Sequence, residues 1–265
     1  MDQGSLRASG VFRPRGQQVT RLETFVDAAF AFSLTLVVIF QNDLPVTVAE
    51  MREALRRIPT FMACFALLMM FWAAHNRWSR RFGLSDALSV VLSLTLVLVM
   101  LVYVYPLRMV ASQAMSMLTR GWVPSELGAI GAERVLDVQS LFIVYSTGFG
   151  LMALLMWALN AHAGRQADAL ALDMHERFDL ASETGMFRIM TITALASIAL
   201  SALVLATATR DSAWLFAAPM WAYAVMGAWL PWYWHRRDRA RPGFAAGAGA
   251  GPAPATQPHP GQAEG

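Results

Sequence analysis

Long uncharged apolar runs alternate with short charged segments along the whole chain. After a first run that follows Asp27, the uncharged runs are Ile58–Ala74, Ala87–Leu107, Val138–Gly164, Ile189–Thr209 and Ser212–Trp234. Each is close to the roughly 20 residues that a helix needs to cross a bilayer. The pattern predicts an all-α integral membrane protein with six transmembrane helices.

The first run combines apolar side chains with one hydroxyl on a single helical stripe. At about 100° per residue, Phe32, Thr35, Leu36 and Ile39 point in similar directions. Asp27 lies about 140° away from Phe32 and should face neighbouring helices. The stripe is either a seam packed against another helix or the lining of a pore closed by apolar rings.

Polar residues gather at one predicted membrane level. The end of the second run has three such residues on one helical face, because they are spaced three and four positions apart: Trp72, His75 and Asn76. Arg21 and Asp27 lie at the same level, and ionisable groups at membrane depth are costly unless paired. We expect a hydrogen-bonded network between the first two helices. A metal site is disfavoured, because one His and one Asp without fixed spacing are too few ligands.

The connections differ in character. Apolar residues at three-to-four spacing predict a short amphipathic surface helix within Asn42–Arg57, whereas Thr119–Asp137 should be irregular. The segment from Gly164 to Arg188 carries charges of both signs and predicts a loop with at best a short helix. Tyr103 and Tyr105 resemble an interfacial aromatic belt near a helix end.

The run Ser146–Gly150 resembles a potassium-channel filter only superficially. The residue expected between Thr147 and Gly148 is missing, and the run continues as an ordinary helix. We therefore interpret Gly148 and Gly150 as close-packing positions between helices.

The composition supports membrane insertion and gives an orientation. The 265 residues are 56% hydrophobic, and the net charge is +3. Arginines concentrate on the side that would hold both termini, which predicts a cytoplasmic N-terminus and C-terminus and gives no reason to expect nucleic-acid binding. We expect a mobile basic arm at 1–20, the membrane domain at 21–237 and a disordered Gly/Pro/Ala tail at 238–265.

The pattern Arg-x-x-x-Phe-x-Asp, which Arg21, Phe25 and Asp27 form at the start of the first helix, occurs once. Arg134 and Asp137 open the fourth run without repeating it, so a symmetric pore needs several chains.

Two motifs carry a resemblance to a known family. They are Arg21-x-x-x-Phe25-Val-Asp27, followed by Thr35-Leu36, and Trp72-x-x-His75-Asn76-Arg77. Together they resemble the bacterial relatives of the lysosomal potassium channel called transmembrane protein 175. Val26 stands where that family usually has Ser, and Phe32 where Ile or Leu is usual.

The resemblance implies a function and an assembly. It implies a homotetramer in a bacterial plasma membrane, whose first helices line a potassium-selective pore, with K⁺ as the permeant ion and no cofactor. By position, the apolar rings would be Phe32, Leu36 and Ile39, with Thr35 as a hydroxyl layer. The structural network would comprise Arg21, Phe25, Asp27, Trp72, His75 and Asn76.

Two other functions remain open at this stage. A proton-coupled or other secondary transporter is disfavoured because no acidic or His residue lies at mid-membrane. A non-conducting structural membrane protein would use the stripe as a seam. No nucleophile–base pair suggests an enzyme.

Overall fold

The described residues of the chain form a bundle of helices. The structure, a computed structural model, describes residues 14–16, 18–39, 46–127, 134–207 and 218–241, without the side chains of 38, 39, 134–136 and 218. The described helices are α1 (Arg21–Ile39), α2 (Val48–Leu55), α3 (Ile58–Phe82), α4 (Ala87–Leu118), α5 (Arg134–Arg165), α6 (Met174–Thr207) and α7 (Ala218–Arg239).

The central helices are α4 and α5. Helix α4 packs against α1, α3 and α5, while α5 also contacts α3 and α6, and α6 contacts α7. Large side chains fill the core between them, including Phe71, Trp78, Tyr103 and Phe149. Helices α1, α4 and α6 begin at the same end of the bundle. We call it the Arg15 end, because Arg15 lies there against α6.

The all-helical prediction is confirmed, and the predicted spans are confirmed in part. Four described segments are long and apolar enough to cross a membrane: Val48–Phe82, Ala87–Leu118, Asp137–Arg165 and Met174–Thr207. The described parts of α1 and α7 are helical but not among these candidates. The turn predicted between the fifth and sixth runs and the tail beyond residue 241 lie outside the described residues.

Two helices run further than the apolar pattern indicated. Helix α6 is continuous over 34 residues, so the prediction of a loop from 174 to 188 is wrong. Its buried face continues through Leu180 and Phe187 into the charged part of the sequence. Helix α4 continues past Pro106 to Leu118, and Arg108 therefore lies within it, buried and 2.7 Å from Glu126.

The short surface helix and the glycine packing are confirmed. Helix α2 starts with a capping box between Thr47 and Glu50 and contains no buried residue. A Cβ added at Gly148 would lie 2.5 Å from the ring of Tyr103, and one at Gly150 would lie 2.8 Å from α6. Tyr103 itself is buried against α5, so its assignment to an interfacial belt is wrong.

Candidate functional site

Helix α1 has one face buried against the rest of the chain. Its most buried side chains recur every three or four residues, which is the period of one helical face. These residues are Glu23, Val26, Phe30, Ser33 and Val37. Because α1 packs against α3 and α4, contacts within the chain set the orientation of α1 about its axis.

The opposite face of α1 is apolar but uncovered. Phe25 and Phe32 are 55% and 56% exposed. Ala28, which lies between them, and Thr35, which follows Phe32, are exposed as well. These four residues, which we call the open stripe, follow the same three-to-four spacing as the buried face. The Thr35 hydroxyl donates to the carbonyl of Ala31 at 3.0 Å, so its oxygen lone pairs remain available.

The predicted pore residues do not all lie on the open stripe. Phe32 and Thr35 belong to the open stripe, whereas Leu36 is half-buried against the core. Ile39 ends α1, and its side chain is outside the described part of the structure. Phe25 lies on the open stripe with Phe32 and not beside the hydrogen-bonded residues of the predicted network.

The predicted polar network is two separate contacts. Trp72 on α3 donates its indole N–H to Asp27 on α1 at 2.8 Å. His75 is buried and pairs with the Ser93 hydroxyl of α4 at 2.9 Å. Within the described ranges, the side chains of Arg21 and Asn76 make no hydrogen bond or ion pair. The first contact joins α1 to α3, and the second joins α3 to α4.

Further charged contacts at the Arg15 end were not apparent in the sequence. The guanidinium of Arg15 binds both oxygens of Glu176 at 2.7 and 3.1 Å, so this part of the basic arm is held in place rather than mobile. The buried carboxylate of Glu23 lies 3.6 Å from the guanidinium of Arg80. The backbone carbonyl of Arg80 accepts a hydrogen bond from the backbone N–H of Arg15. No local signal links positions this far apart in sequence.

A carboxylate also joins the start of α4 to the end of α5. Asp86 accepts from the Ser89 hydroxyl at 2.7 Å and lies 2.9 Å from the His162 ring. The Ser89 hydrogen bond, followed by the contact with His162, lowers the pKa of Asp86. Among the described residues, no three His, Cys, Asp or Glu side chains are placed to hold a metal ion.

Comparison with known proteins relates this arrangement to one family. The family described as "Endosomal/lysosomal potassium channel TMEM175" matches residues 21–106, which include the motifs of α1 and α3. A protein named "Potassium channel" from Marivirga tractuosa is 31% identical over 173 residues, which cover 64% of this chain and 70% of that protein.

A solved structure shares the fold. It is the crystal structure of a single-residue variant of the potassium channel MtTMEM175 in complex with a nanobody–MBP fusion protein. The two folds superpose with a TM-score of 0.71, and the two sequences are 25% identical. The alignment covers 86% of this chain and 97% of that chain. These relatives are named as channels, which confirms the prediction that the chain is not an enzyme. Its sequence and its fold both place the chain in the TMEM175 family.

Proposed function

We propose that this chain is a subunit of a potassium-permeable channel whose pore is lined by the open stripe of α1. The observation that carries the proposal is the stripe itself. Phe25 and Phe32 remain more than half exposed, although α1 buries its opposite face completely. A regular apolar face that the described residues of the chain leave exposed suits symmetric contact around an axis.

The names of the relatives support the ion, and the single copy of the α1 motif supports assembly from several chains. Both matched proteins are named potassium channels, and the signature of α1 occurs once per chain. We infer that several copies, four by resemblance, surround one axis in a cell membrane with both termini cytoplasmic. Tetrameric assembly would place a ring of Phe32 side chains across the pore.

The chemistry of the stripe suggests how such a pore would work. Apolar rings impede ions, because they expel water and offer nothing to replace the hydration shell. The Thr35 hydroxyl donates its hydrogen to Ala31, so the oxygen can present lone pairs to a cation. We propose Phe32, with Leu36 and Ile39 further along, as the constriction, and Thr35 as a layer that offsets part of the dehydration.

Flux measurements test this proposal. Purified protein in liposomes should pass K⁺ faster than Na⁺, with an ionophore as the control for vesicle integrity. Phe32→Ala should raise flux, because it removes the largest ring, and Thr35→Val should lower K⁺ flux while keeping side-chain shape. The matched control is Phe65→Ala, since Phe65 is 42% exposed on α3 and not on the open stripe.

The outcomes separate the alternatives. Equal effects of Phe32→Ala and Phe65→Ala would contradict a pore along α1. No flux in either the wild type or Phe32→Ala would indicate a non-conducting protein. Transport that strictly requires a proton gradient would indicate a secondary transporter.

A further inference from the structure

A groove separate from α1 opens between α5 and α6 at the Arg15 end. Its volume is about 400 Å³. Its lining combines an aromatic ring with polar and basic groups, namely Trp157, Asn160, Arg177, Thr184 and Arg188. No carboxylate is among the described residues that line it, so the groove favours an anionic group.

The buried wall of the groove has an unfilled hydrogen-bond acceptor. Asn160 is only 1% exposed, and its amide N–H donates to the carbonyl of Met156 at 2.8 Å. Its Oδ1 has no hydrogen-bond partner within the part of the chain that the structure describes. Buried acceptors without partners are rare and costly, so an occupant with an O–H or N–H donor would be favoured.

The two arginines are available to a ligand. Arg188 is exposed, and its side chain makes no hydrogen bond or ion pair among the described residues. Arg177 donates from Nε to the carbonyl of Leu172 at 3.1 Å and pairs through Nη2 with Asp168 at 2.5 Å, where the Asp168 side chain is 97% exposed. Such surface pairs contribute little, so the outer N–H groups of Arg177 can be shared with an anion.

The level of the groove in the bilayer indicates the source of that anion. The uncharged residues 189–207 follow Arg188 directly and rise about 28 Å as a helix. This length matches the roughly 30 Å of hydrocarbon, so Arg188 lies where lipid phosphates lie. Trp157 beside it is a side chain typical of the same interface.

We propose that this groove binds the headgroup of a membrane phospholipid, as a phosphate ester that also carries an O–H or N–H donor. The phosphate contacts Arg188 and Arg177, since guanidinium groups bind phosphate oxygens in pairs. The donor is directed to the buried Oδ1 of Asn160, which binding uncovers by a small movement of the side chains that line the groove, and it supplies the missing hydrogen bond. The site does not depend on ion conduction.

Native mass spectrometry of the full chain in detergent tests the proposal directly. The probes are phosphatidylethanolamine, phosphatidylglycerol and phosphatidylcholine, because the choline headgroup has phosphate but no donor. We expect the first two to remain bound at higher occupancy than the third. Soluble glycerol 3-phosphate is the comparison ligand: displacement of lipid at similar concentrations would assign the site to free phosphate esters and overturn the lipid source.

Variants locate the binding. Arg188→Gln should weaken binding of all three lipids about tenfold, the expected effect of losing one charge-assisted contact, and Arg188→Lys should restore part of it. Asn160→Leu should abolish the preference for phosphatidylethanolamine over phosphatidylcholine. The control Arg239→Gln changes an exposed arginine on α7, away from the groove, and should have no effect.

Two results would overturn the proposal. One is lipid binding that Arg188→Gln and Arg239→Gln reduce equally, which would indicate nonspecific attraction to basic residues. The other is an unchanged headgroup preference in Asn160→Leu, which would mean that water fills the groove at Asn160. Circular dichroism and the elution volume of each variant verify that the bundle is folded.

Discussion

Replacing Trp72 by Phe should weaken the attachment of α1 to α3. The substitution keeps an aromatic ring in place and removes the indole N–H that donates to Asp27 at 2.8 Å. Because α1 carries the open stripe, this contact helps to hold the proposed pore helix against its own subunit. The expected result is a measurable loss of stability without a change of fold.

The magnitude follows from the charge and the burial of the partners. A hydrogen bond to a charged acceptor contributes about 1.5–3 kcal/mol. Trp72 and Asp27 are both half-buried, so water can solvate part of the carboxylate after the donor is lost. We therefore expect Trp72→Phe to lower the free energy of unfolding by about 2 kcal/mol, near the lower part of that range.

The assay is reversible unfolding in mixed micelles, where added sodium dodecyl sulfate unfolds the helices. A double-mutant cycle with Asp27→Ala isolates the pairwise energy from other effects of each substitution. The matched control is Trp221→Phe, since Trp221 is 65% exposed on α7. A coupling energy below about 0.5 kcal/mol, with Trp72→Phe no worse than Trp221→Phe, would refute the reasoning.

Two further predictions concern packing and pH. Gly148→Ala should destabilise the bundle by about 1–3 kcal/mol, because the added methyl group would lie 2.5 Å from the Tyr103 ring. The control Gly227→Ala should have no such effect, since a Cβ at Gly227 would meet nothing within 4 Å. Equal unfolding midpoints for the two variants would contradict this prediction. The Ser89 hydrogen bond lowers the pKa of Asp86 in the folded protein. The charged Asp86 carboxylate therefore stabilises the fold at pH values above the pKa that Asp86 has in the unfolded chain. This stabilisation is lost as the pH falls below about 4. Thermal unfolding at pH 7 and pH 3 should show a smaller pH dependence in Asp86→Asn, and an unchanged dependence would argue against the contact.

Local patterns were sufficient to predict much of the fold. Helix-forming apolar runs and the three-to-four spacing on α1 depend only on residues close in sequence, so they could be identified directly. The same holds for Gly148 and Gly150, where a small residue inside a long helix indicates a neighbouring helix at close range. The motif around Asp27 and Trp72 was sufficient to suggest the family.

The extent of α6 could not be predicted in the same way. Its first part contains Glu176 and Glu183, and charges of both signs usually indicate a solvated loop. In the structure these carboxylates are buried and paired with Arg15 and Arg81. Those arginines lie far away in the chain, and the energy that retains a buried charge comes from partners that only the folded state provides.

The pattern of residues along the chain was sufficient to identify a helical membrane protein with one distinctive first helix. It determined the stripe that contains Phe32 and Thr35, because a helix converts spacing into direction. Helix packing sets which side of α1 is covered and which partner each polar residue takes, so that His75 pairs with Ser93 and not with Asp27. No local pattern contains this information, because hydrogen bonds depend on distances between helices and those distances follow from the packing of the whole bundle.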